Sequence, residues 1–349
     1  MTSVIVIGAG LSGLTTARYL HAAGIHVTVL ESSDGPGGRA RTDLINGYRC
    51  DRGFQVINSK YPEVKKTGLI ASLDFREINP NVRIVESDRE YLVGRNHPTR
   101  LIANSFKGRR ELMDEFLTGV FLSDPNRISR SVSRQIKKSF LLGKPGIPAE
   151  GVGEFSKALA QSLPDVRYQH SVSRVEGRAV VGEFGRIEAD SIVVATQAKT
   201  ANSLLSLYMP HETLSSTTWY HTTQDELFSP QFMAIPKNSA IVNSIVISHL
   251  SERYAPVGSH LVATTTIQNL SEERVKTELA DLWGSANWEL VQRYDITDSL
   301  PLMSPGSSRP IIRASESTIL AGDYLQIPSQ QGAMESGRIA AEEIIRLTR

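Results

Sequence analysis

VIVIGAGLSG, at residues 4–13, decides the fold of this chain, because an apolar run leads directly into a glycine-rich turn. A helical pattern follows as far as Leu20, and a second apolar run at 27–30 ends at Glu31. This order of elements is typical of a dinucleotide-binding site: a strand, a glycine-rich turn, a helix, a second strand and then an acid roughly 20 residues after the turn. We therefore predict a dinucleotide site here, in which Glu31 accepts hydrogen bonds from ribose hydroxyls.

The residues of the turn have separate roles in this prediction. Gly8 lets the chain leave the strand sharply, and Gly10 lets the backbone approach the pyrophosphate. Gly13 lets the helix lie close against the sheet. The helix opens at Leu11 and Ser12, where free N–H groups and the positive end of the helix dipole would receive the phosphates.

A second element rich in glycine and arginine, GGRART at residues 37–42, follows Glu31. Gly38 keeps the backbone bare where a further stretch of cofactor would pass, and Arg39 and Arg41 can neutralise phosphate with fork-shaped donors. Taken alone, the segment reads as a solvated basic loop. Because this segment directly follows a nucleotide-binding fingerprint, we favour its interpretation as a second contact with the cofactor. An NAD enzyme does not need such a second element.

Residues 4–42 resemble the N-terminus of the FAD-dependent amine oxidase, protoporphyrinogen oxidase and phytoene desaturase superfamily. Two C-terminal stretches, LAGDY at 320–324 and PSQQGAMESG at 328–337, are similar to that superfamily's closing FAD motif. The resemblance covers nearly the whole chain and is strongest at its two ends. It implies FAD as the cofactor.

The C-terminal residues suit such a cofactor on physical grounds. An apolar strand ends at Gly322, and Asp323 at its tip can hold a ribityl hydroxyl or order water on the pyrophosphate. From Gly332 the residue spacing predicts a helix, whose free N–H groups near Ala333 and Met334 would face N1 and the C2 carbonyl of the flavin. That end of the ring becomes negative on reduction, so the helix dipole would favour the reduced form. The plain alternative is an amphipathic closing helix.

The resemblance also implies cofactor contacts in the segments between the two ends. Gly53, Phe54 and Gln55 follow the glycine-arginine element and match a stretch of the resembled superfamily. Val172 would meet the adenine through its backbone, and the strand that ends at Ala195 would pass nearby. From the residues alone, these last two belong to ordinary core strands.

At 349 residues the chain is long for a single core, so we predict two domains that interleave along the sequence. The expected fold is α/β, a Rossmann-like FAD-binding domain with an interleaved α+β substrate domain. The FAD-binding domain comprises residues 1–75, 145–205 and 300–349. The substrate domain comprises 76–144, which carries helical patterns, and 206–299, which carries β-rich runs.

Composition excludes several classes of protein. The net charge of +1 gives no footprint for nucleic acid, and the single cysteine, Cys50, excludes a disulfide framework. No apolar stretch approaches the roughly 20 residues of a spanning helix, and no metal-ligand spacing is present among the histidines. We expect a soluble cytoplasmic protein that acts on a small molecule. The substrate can be lipophilic, and the sequence leaves peripheral membrane contact and the oligomeric state open.

The catalytic residues are only partly visible. A flavin accepts a hydride at N5, so the protein mainly orients the substrate C–H bond and excludes water, and no nucleophile is required. Tyr220 and His221 are candidates for a pocket above the flavin, although a packing role is the commoner one for such residues. In the resembled superfamily, amine oxidases place an aromatic residue shortly before the last helix, and the matching position here is Ser329. A serine cannot supply the cation–π attraction, on the order of 1–2 kcal/mol, that an aromatic face gives an amine.

The leading hypothesis is a FAD-dependent oxidoreductase that removes a hydride from a carbon centre. The serine favours desaturase-like or protoporphyrinogen oxidase-like dehydrogenation of a neutral or apolar substrate over amine oxidation. One alternative is an NAD(P)-dependent dehydrogenase, which leaves Arg39 and Asp323 without a role. The other is a non-catalytic flavin-binding protein, which would hold FAD without turning over any substrate.

Overall fold

The computed structural model describes most of the chain. The described residues are 2–53, 56–79, 81–86, 89–94, 106–209, 212–227, 232–284, 287–306 and 312–348. Phe54 and Gln55, which the resemblance assigns to the cofactor, lie outside them.

A five-stranded parallel sheet contains the glycine-rich turn, with strand order β10-β2-β1-β14-β20. Its strands are β1 (Ser3–Ile7), β2 (His26–Leu30), β10 (Val166–Arg167), β14 (Ser191–Val194) and β20 (Thr318–Leu320). Because the strands are parallel, their carboxyl ends meet at one edge of the sheet. The order reverses between β1 and β14, and ligands of open α/β sheets bind in the crevice at such a point. The predicted Rossmann-like α/β fold is confirmed.

Side chains of the central strand alternate between two buried cores. Val4 and Val6 lie in one core, and Ile5 and Ile7 lie in the other. Since both faces of the sheet are covered, the strand reads as an unbroken apolar run. Among the helices that contribute to these cores are α1 (Leu11–Ala22), α5 (Gly153–Gln161) and α8 (Gln330–Leu347) on one face and α6 (Ala198–Leu205) on the other.

A second, seven-stranded sheet has the order β19-β15-β18-β17-β16-β7-β8. Its strands are β7 (Asn81–Glu86), β8 (Arg89–Gly94), β15 (Thr213–Thr223), β16 (Met233–Pro236), β17 (Ile241–Val246), β18 (His260–Thr266) and β19 (Glu289–Pro301). Strands β7 and β16 pair in parallel, whereas the other neighbours are antiparallel. The sheet therefore joins a hairpin from early in the chain to five strands from its second half.

Three helices cover this second sheet. They are α3 (Phe106–Phe121), α4 (Arg130–Leu142) and α7 (Glu272–Trp283). Trp283 of α7 is buried beside Trp219 of β15, and Leu117 of α3 packs with Ile84 of β7. Ser271 caps α7, because its hydroxyl accepts a hydrogen bond from the Arg274 N–H at 3.3 Å.

Shorter elements complete the fold. They are the hairpin β3 (Thr42–Ile45) and β4 (Tyr48–Asp51), the small sheet β5 (Ile57–Asn58), β9 (Pro145–Pro148) and β6 (Phe75–Glu77), helix α2 (Pro62–Thr67), and the antiparallel strands β11 (Val172–Glu176), β12 (Ala179–Gly182) and β13 (Gly185–Glu188). Cys50 of the hairpin is a buried free thiol that packs with Tyr220 of the seven-stranded sheet. The hairpin therefore joins the glycine-rich part of the chain to that sheet.

No helix within the described ranges is both long enough and apolar enough to cross a bilayer.

Candidate cofactor site

The glycine-rich turn lies between the ends of β1 and β14, and its glycines have two different surroundings. A Cβ built on Gly8, whose φ is +102°, would lie 2.9 Å from the Ala195 carbonyl oxygen. A Cβ on Gly13 would lie 1.9 Å from the Gly8 carbonyl oxygen, so close packing requires glycine at both positions. A Cβ on Gly10 would have no heavy atom within 4 Å. Gly10 therefore opens onto free space at the crevice.

Helix α1 begins at Leu11 with features that favour an anion. Gly10 is its N-cap and has no side chain to satisfy the first N–H groups, and no acidic residue occupies the first turn. The Ser12 hydroxyl is buried and has no hydrogen-bond partner in the described part of the chain. Because buried hydroxyls are normally paired, this atom suits a ligand that supplies an acceptor.

Glu31 lies at the end of β2 beside the turn and is 8% exposed. Its Oε2 accepts a hydrogen bond from the Ala9 N–H at 2.7 Å. Its Oε1 accepts from the N–H and the hydroxyl of Ser33, at 2.9 and 2.8 Å. Oε1 also accepts from the Ser32 hydroxyl at 3.4 Å. A carboxylate oxygen has about two acceptor positions, so Oε2 keeps one for a ribose hydroxyl on the side of Ala9. The protein donors, which the sequence analysis did not predict, hold the carboxylate in place.

The two glycine-rich elements contact each other directly. Gly10 and Gly37 form a parallel β-bridge, and the Gly37 N–H donates to the Ala9 carbonyl at 2.8 Å. Gly38 adopts φ +56°, and a Cβ on it would lie 3.6 Å from the Gly10 Cα. Bare backbone therefore lines both sides of this point, as the sequence predicts.

The two arginines of the second element have different partners. Arg39 donates through Nη2 to Asp323 Oδ2 and through Nη1 to the Ser299 carbonyl, both at 2.7 Å. Arg41 instead donates to Ser33 and, at 2.8 Å, to Asp34, whose pKa it lowers by hydrogen bonding and charge. Arg39 is thus joined to the C-terminal motif, whereas Arg41 braces the loop that follows Glu31.

Arg39 and Asp323 line a small cavity that is open to solvent. Gln197 and Lys199, which follow β14, and Tyr324 line it as well. The Tyr324 hydroxyl is buried and has no hydrogen-bond partner among the described residues, and burial raises its pKa. The cavity therefore combines a guanidinium and an ammonium with the carboxylates of Asp298 and Asp323.

The closing helix α8 packs against α1. Thr16 Oγ1 donates to the Gly337 carbonyl at 3.1 Å, and a Cβ on Gly337 would lie 2.2 Å from the Ser12 carbonyl oxygen. The Gly322 N–H donates to Ser336 Oγ at 2.9 Å, which ties the end of β20 to the same helix. The first and last parts of the chain thus meet at one edge of the parallel sheet.

The start of α8 differs from the prediction. Ser329 is its N-cap, accepting a hydrogen bond from the Gly332 N–H at 3.0 Å and donating to the Ile327 carbonyl at 3.1 Å. The Ala333 N–H donates to the Ser329 carbonyl at 2.9 Å, so the prediction that it is free is wrong. The helix begins earlier, at Gln330, and Met334 is buried in the core that contains Leu11.

The remaining predicted contacts lie around the turn and the hairpin. The Ala195 N–H donates to the Ile7 carbonyl at 2.9 Å, which places Ala195 beside the glycine-rich turn. Val172 begins β11, two residues after His170, whose N–H donates to the Glu31 carbonyl at 2.8 Å. Gly53, with φ +88°, lies where the hairpin meets β19.

Tyr220 and His221 are fully buried in β15 and do not line the cavity. The Tyr220 hydroxyl accepts a hydrogen bond from the Asp51 N–H at 3.0 Å. The His221 ring stacks on Trp219 with centroids 6.2 Å apart, and burial lowers its pKa to about 4. Both residues pack the interior of the sheet, the role that the sequence analysis gave as the commoner one.

Sequence reasoning missed a set of polar residues on the hairpin. Asp43 accepts two hydrogen bonds from Arg52, at 2.8 and 3.0 Å, and one from the Tyr294 hydroxyl at 2.7 Å. Asp51 is a buried carboxylate with partners on three segments. The available signal in the sequence was the acidic residue Asp51, directly before Arg52 and Gly53. The residues that hydrogen-bond to its carboxylate from other segments, Val152 and Tyr254, lie far away in the sequence.

Comparison with known proteins finds matches to parts of this chain. Residues 6–68 match the family described as NAD(P)-binding Rossmann-like domain. Lysine-specific histone demethylase 2 of Homo sapiens is 53% identical over 57 residues, 16% of this chain and 7% of that protein. Phytoene dehydrogenase of Streptomyces griseus is 50% identical over 54 residues, 16% of this chain and 11% of that protein. Protoporphyrinogen oxidase 2 of Arabidopsis thaliana is 34% identical over 101 residues, 29% of this chain and 19% of that protein.

The matches to these curated relatives span less than a fifth of the relatives' own lengths. Solved structures match over the whole chain. An oxidoreductase from Methanosarcina mazei has a TM-score of 0.75 at 16% identity, covering 99% of this chain and 100% of that one. Cyclohexylamine oxidase from Brevibacterium oxydans IH-35A has a TM-score of 0.73 at 14% identity, covering all of both chains. Over part of its length this chain is therefore similar to proteins named phytoene dehydrogenase and protoporphyrinogen oxidase, and over its whole length it shares its fold with these two solved structures.

Proposed function

We propose that this chain binds FAD at the carboxyl edge of its parallel sheet and oxidises an organic substrate at a carbon centre. The observation that carries the proposal is the meeting of the opening turn with the closing helix. Thr16 of α1 donates to Gly337 of α8, and Arg39 of the second glycine-rich element reaches Asp323. A single extended ligand at this edge would contact all of these segments.

The residues present fit such a cofactor. Free space beside Gly10 and the orphaned Ser12 hydroxyl suit the pyrophosphate, and Glu31 suits the adenosine ribose. Arg39 is positioned for phosphate and Asp323 for a ribityl hydroxyl. Bound FAD would supply the hydride acceptor, N5 of the flavin ring.

The protein's own contribution is to fix these groups before the cofactor arrives. Arg39 is held by Asp323 and the Ser299 carbonyl, and the Glu31 carboxylate is held by Ala9 and Ser33. A group that is already immobilised loses less conformational entropy when a ligand binds. Preorganisation of this kind favours tight binding of the cofactor.

We assign the FAD-binding part to residues 1–75, 145–205 and 300–349, because all five strands of the parallel sheet lie in them. We assign the substrate part to 76–144 and 206–299, which supply nearly all of the seven-stranded sheet. The substrate would then meet the flavin near the hairpin, where Arg39 and Gly53 contact β19.

For the substrate, we favour a neutral or apolar compound and dehydrogenation of the desaturase or protoporphyrinogen oxidase kind. The residue before the last helix is Ser329, and its hydroxyl is used to cap that helix. It gives an amine no aromatic face there, and a cation gains most from such a face when it is desolvated.

An NAD(P)-dependent dehydrogenase is the second candidate, supported by the matched family's description. The Glu31 carboxylate disfavours NADP, because it would repel a 2′-phosphate on the ribose. NAD itself would leave the Arg39–Asp323 pair without a ligand contact. A non-catalytic flavin protein is the third candidate.

Titration of the purified protein with FAD and with NAD(P)H, followed by flavin absorbance and by quenching of cofactor fluorescence, tests the proposal. We expect a yellow protein whose flavin bleaches with anaerobic reductant and is then reoxidised. Polyenes, porphyrinogens and amines should next be compared as reductants of the bound flavin. A protein that binds NAD(P)H but no FAD would refute the proposal, and bound FAD that no substrate class reduces would favour the non-catalytic alternative.

A further inference from the structure

Asp51 is a fully buried carboxylate at the end of the hairpin strand β4. Its Oδ1 accepts hydrogen bonds from the Thr42 hydroxyl and, at 3.0 Å, from the Val152 N–H. Its Oδ2 accepts from the Tyr254 hydroxyl at 2.9 Å. Its backbone N–H donates to the Tyr220 hydroxyl at 3.0 Å. A buried charge is tolerated when donors surround it in this way.

These partners come from separate parts of the fold. Thr42 opens the hairpin, and Val152 precedes helix α5 of the parallel sheet's core. Tyr254 lies between β17 and β18 of the seven-stranded sheet, and Tyr220 lies on β15. Thr42 is itself fixed, because its hydroxyl also accepts a hydrogen bond from the Gly153 N–H at 2.9 Å. The carboxylate thus joins the hairpin to the segment before α5 and to the connection between β17 and β18, and the backbone N–H of the same residue joins it to β15.

The chain that follows Asp51 runs into the proposed site. The N–H of Arg52 donates to the Arg41 carbonyl at 2.8 Å, beside the glycine-arginine element. Gly53 then adopts φ +88° against Ile296 of β19. A change in the backbone direction at Asp51 would therefore also displace Arg52 and Gly53.

The ionisation of Asp51 is sensitive to its surroundings. Burial raises its pKa to about 6, while the donors from Thr42, Tyr254 and Val152 lower it. Protonation turns one acceptor oxygen into a donor, so a hydroxyl that now donates to it must reverse. The titratable or charged groups around Asp51 are Asp43 and Cys50 on the hairpin, Tyr220 and Tyr254 on the side of the seven-stranded sheet, and Arg49, which acts on Tyr254.

We propose that Asp51 is a positioning residue of the proposed FAD site: as a carboxylate it holds the hairpin against the segment before α5 and the connection between β17 and β18, and its protonation loosens FAD binding. This inference rests on the proposed function. It adds a regulatory acid that touches neither the proposed pyrophosphate groups nor the cavity beside Arg39.

The test is the dissociation constant for FAD of the full-length protein, measured between about pH 5 and about pH 8 at constant ionic strength. We expect binding to weaken about tenfold on acidification, with a midpoint near the pKa of Asp51. A tenfold change corresponds to a difference of about one unit between the pKa of Asp51 in the free and FAD-bound protein. Asp51→Asn should bind FAD with the weaker, acid-side constant at every pH.

Two tyrosine variants form a matched pair, because each removes one buried hydroxyl from the same cluster. Tyr254→Phe removes a donor to the carboxylate, so the midpoint should move to higher pH. Tyr220→Phe removes only the acceptor of the Asp51 backbone N–H and should leave the midpoint in place. This pair keeps the proposal testable if Asp51→Asn does not fold.

The outcomes separate this inference from the proposed function. If the wild-type protein binds no FAD at any pH, both fail. If it binds FAD with the same constant across the range, or Asp51→Asn keeps the wild-type pH dependence, only the role of Asp51 is overturned. Equal midpoint shifts in both tyrosine variants would also overturn it, since they would indicate a merely structural cluster.

Discussion

Replacing Gly10 by alanine tests whether the free space at the turn belongs to a ligand. A Cβ at Gly10 meets no atom within 4 Å, and the backbone there, at φ −72°, is one that alanine adopts readily. The folded apoprotein should therefore tolerate the change, at a cost below about 1 kcal/mol for a poorer N-cap. Bound FAD would occupy that space, so the added methyl group should weaken binding.

The loss of FAD affinity and the loss of folding stability can both be estimated from these contacts. Forcing a methyl group into an occupied, well-packed contact costs about 1–3 kcal/mol, which corresponds to a 5- to 150-fold weaker dissociation constant for FAD. Gly13→Ala is the matched control, because its Cβ would lie 1.9 Å from the Gly8 carbonyl oxygen even without a ligand. That variant should lose about 1–3 kcal/mol of folding stability in the apoprotein.

Two measurements separate these cases: thermal unfolding of the apoprotein by circular dichroism, and titration with FAD. Gly10→Ala should keep a Tm near that of the wild type while losing affinity, and Gly13→Ala should lose several degrees of Tm. Wild-type FAD affinity in Gly10→Ala would show that no ligand uses this space, and the reasoning would then fail.

Three further predictions concern single side chains. Arg39→Ala should weaken FAD binding by at least about tenfold, measured by titration, and by more than Arg41→Ala, because Arg39 pairs with the buried Asp323 and Arg41 with an exposed aspartate. His221 is buried and its pKa is lowered from 6.5 to about 4, so the stability it contributes is complete above pH 6.5 and is lost as the pH falls toward 4. In urea unfolding, His221→Gln should remove about 3 kcal/mol of that acid-induced loss of unfolding free energy. The raised pKa of Asp51 changes the unfolding free energy in the opposite sense over the same pH range. If the unfolding free energy of His221→Gln fell with acidification as steeply as that of the wild type, this role for His221 would be contradicted. Ser329→Ala removes the acceptor for the Gly332 N–H and should cost about 1 kcal/mol in chemical denaturation, with Ser329→Asp as the rescuing control.

The parts of the fold that depend on neighbouring residues were predictable from the sequence. Strand β1, the turn at Gly8–Gly13, helix α1 and strand β2 follow one another within thirty residues, and apolar period and glycine placement predict each of them. The helix start at Ser271 was readable for the same reason, because capping is local. The predicted start of α8 was a few residues too late. Ser329 can be recognised as the N-cap only once its hydrogen bond from the Gly332 N–H is known.

Contacts between distant segments were not predictable from residue patterns. Arg39 and Asp323 are 284 positions apart, and Asp51 and Tyr254 are 203 apart, so nothing in either local stretch predicts the partner. The bounds of strands β15 and β19 were not predicted either. Strand β15 is rich in serine and threonine, and its burial comes from neighbouring strands and helices rather than from its own apolar pattern.

The central claim is that the opening turn and the closing motif hold opposite parts of one ligand. Amide hydrogen exchange of the full-length protein, with and without saturating FAD, tests it directly. The account predicts that FAD slows exchange in both the 8–13 and 37–41 segments and in the 322–334 segment, with the same dependence on FAD concentration. Protection confined to one end of the chain, or absent from both, would contradict it.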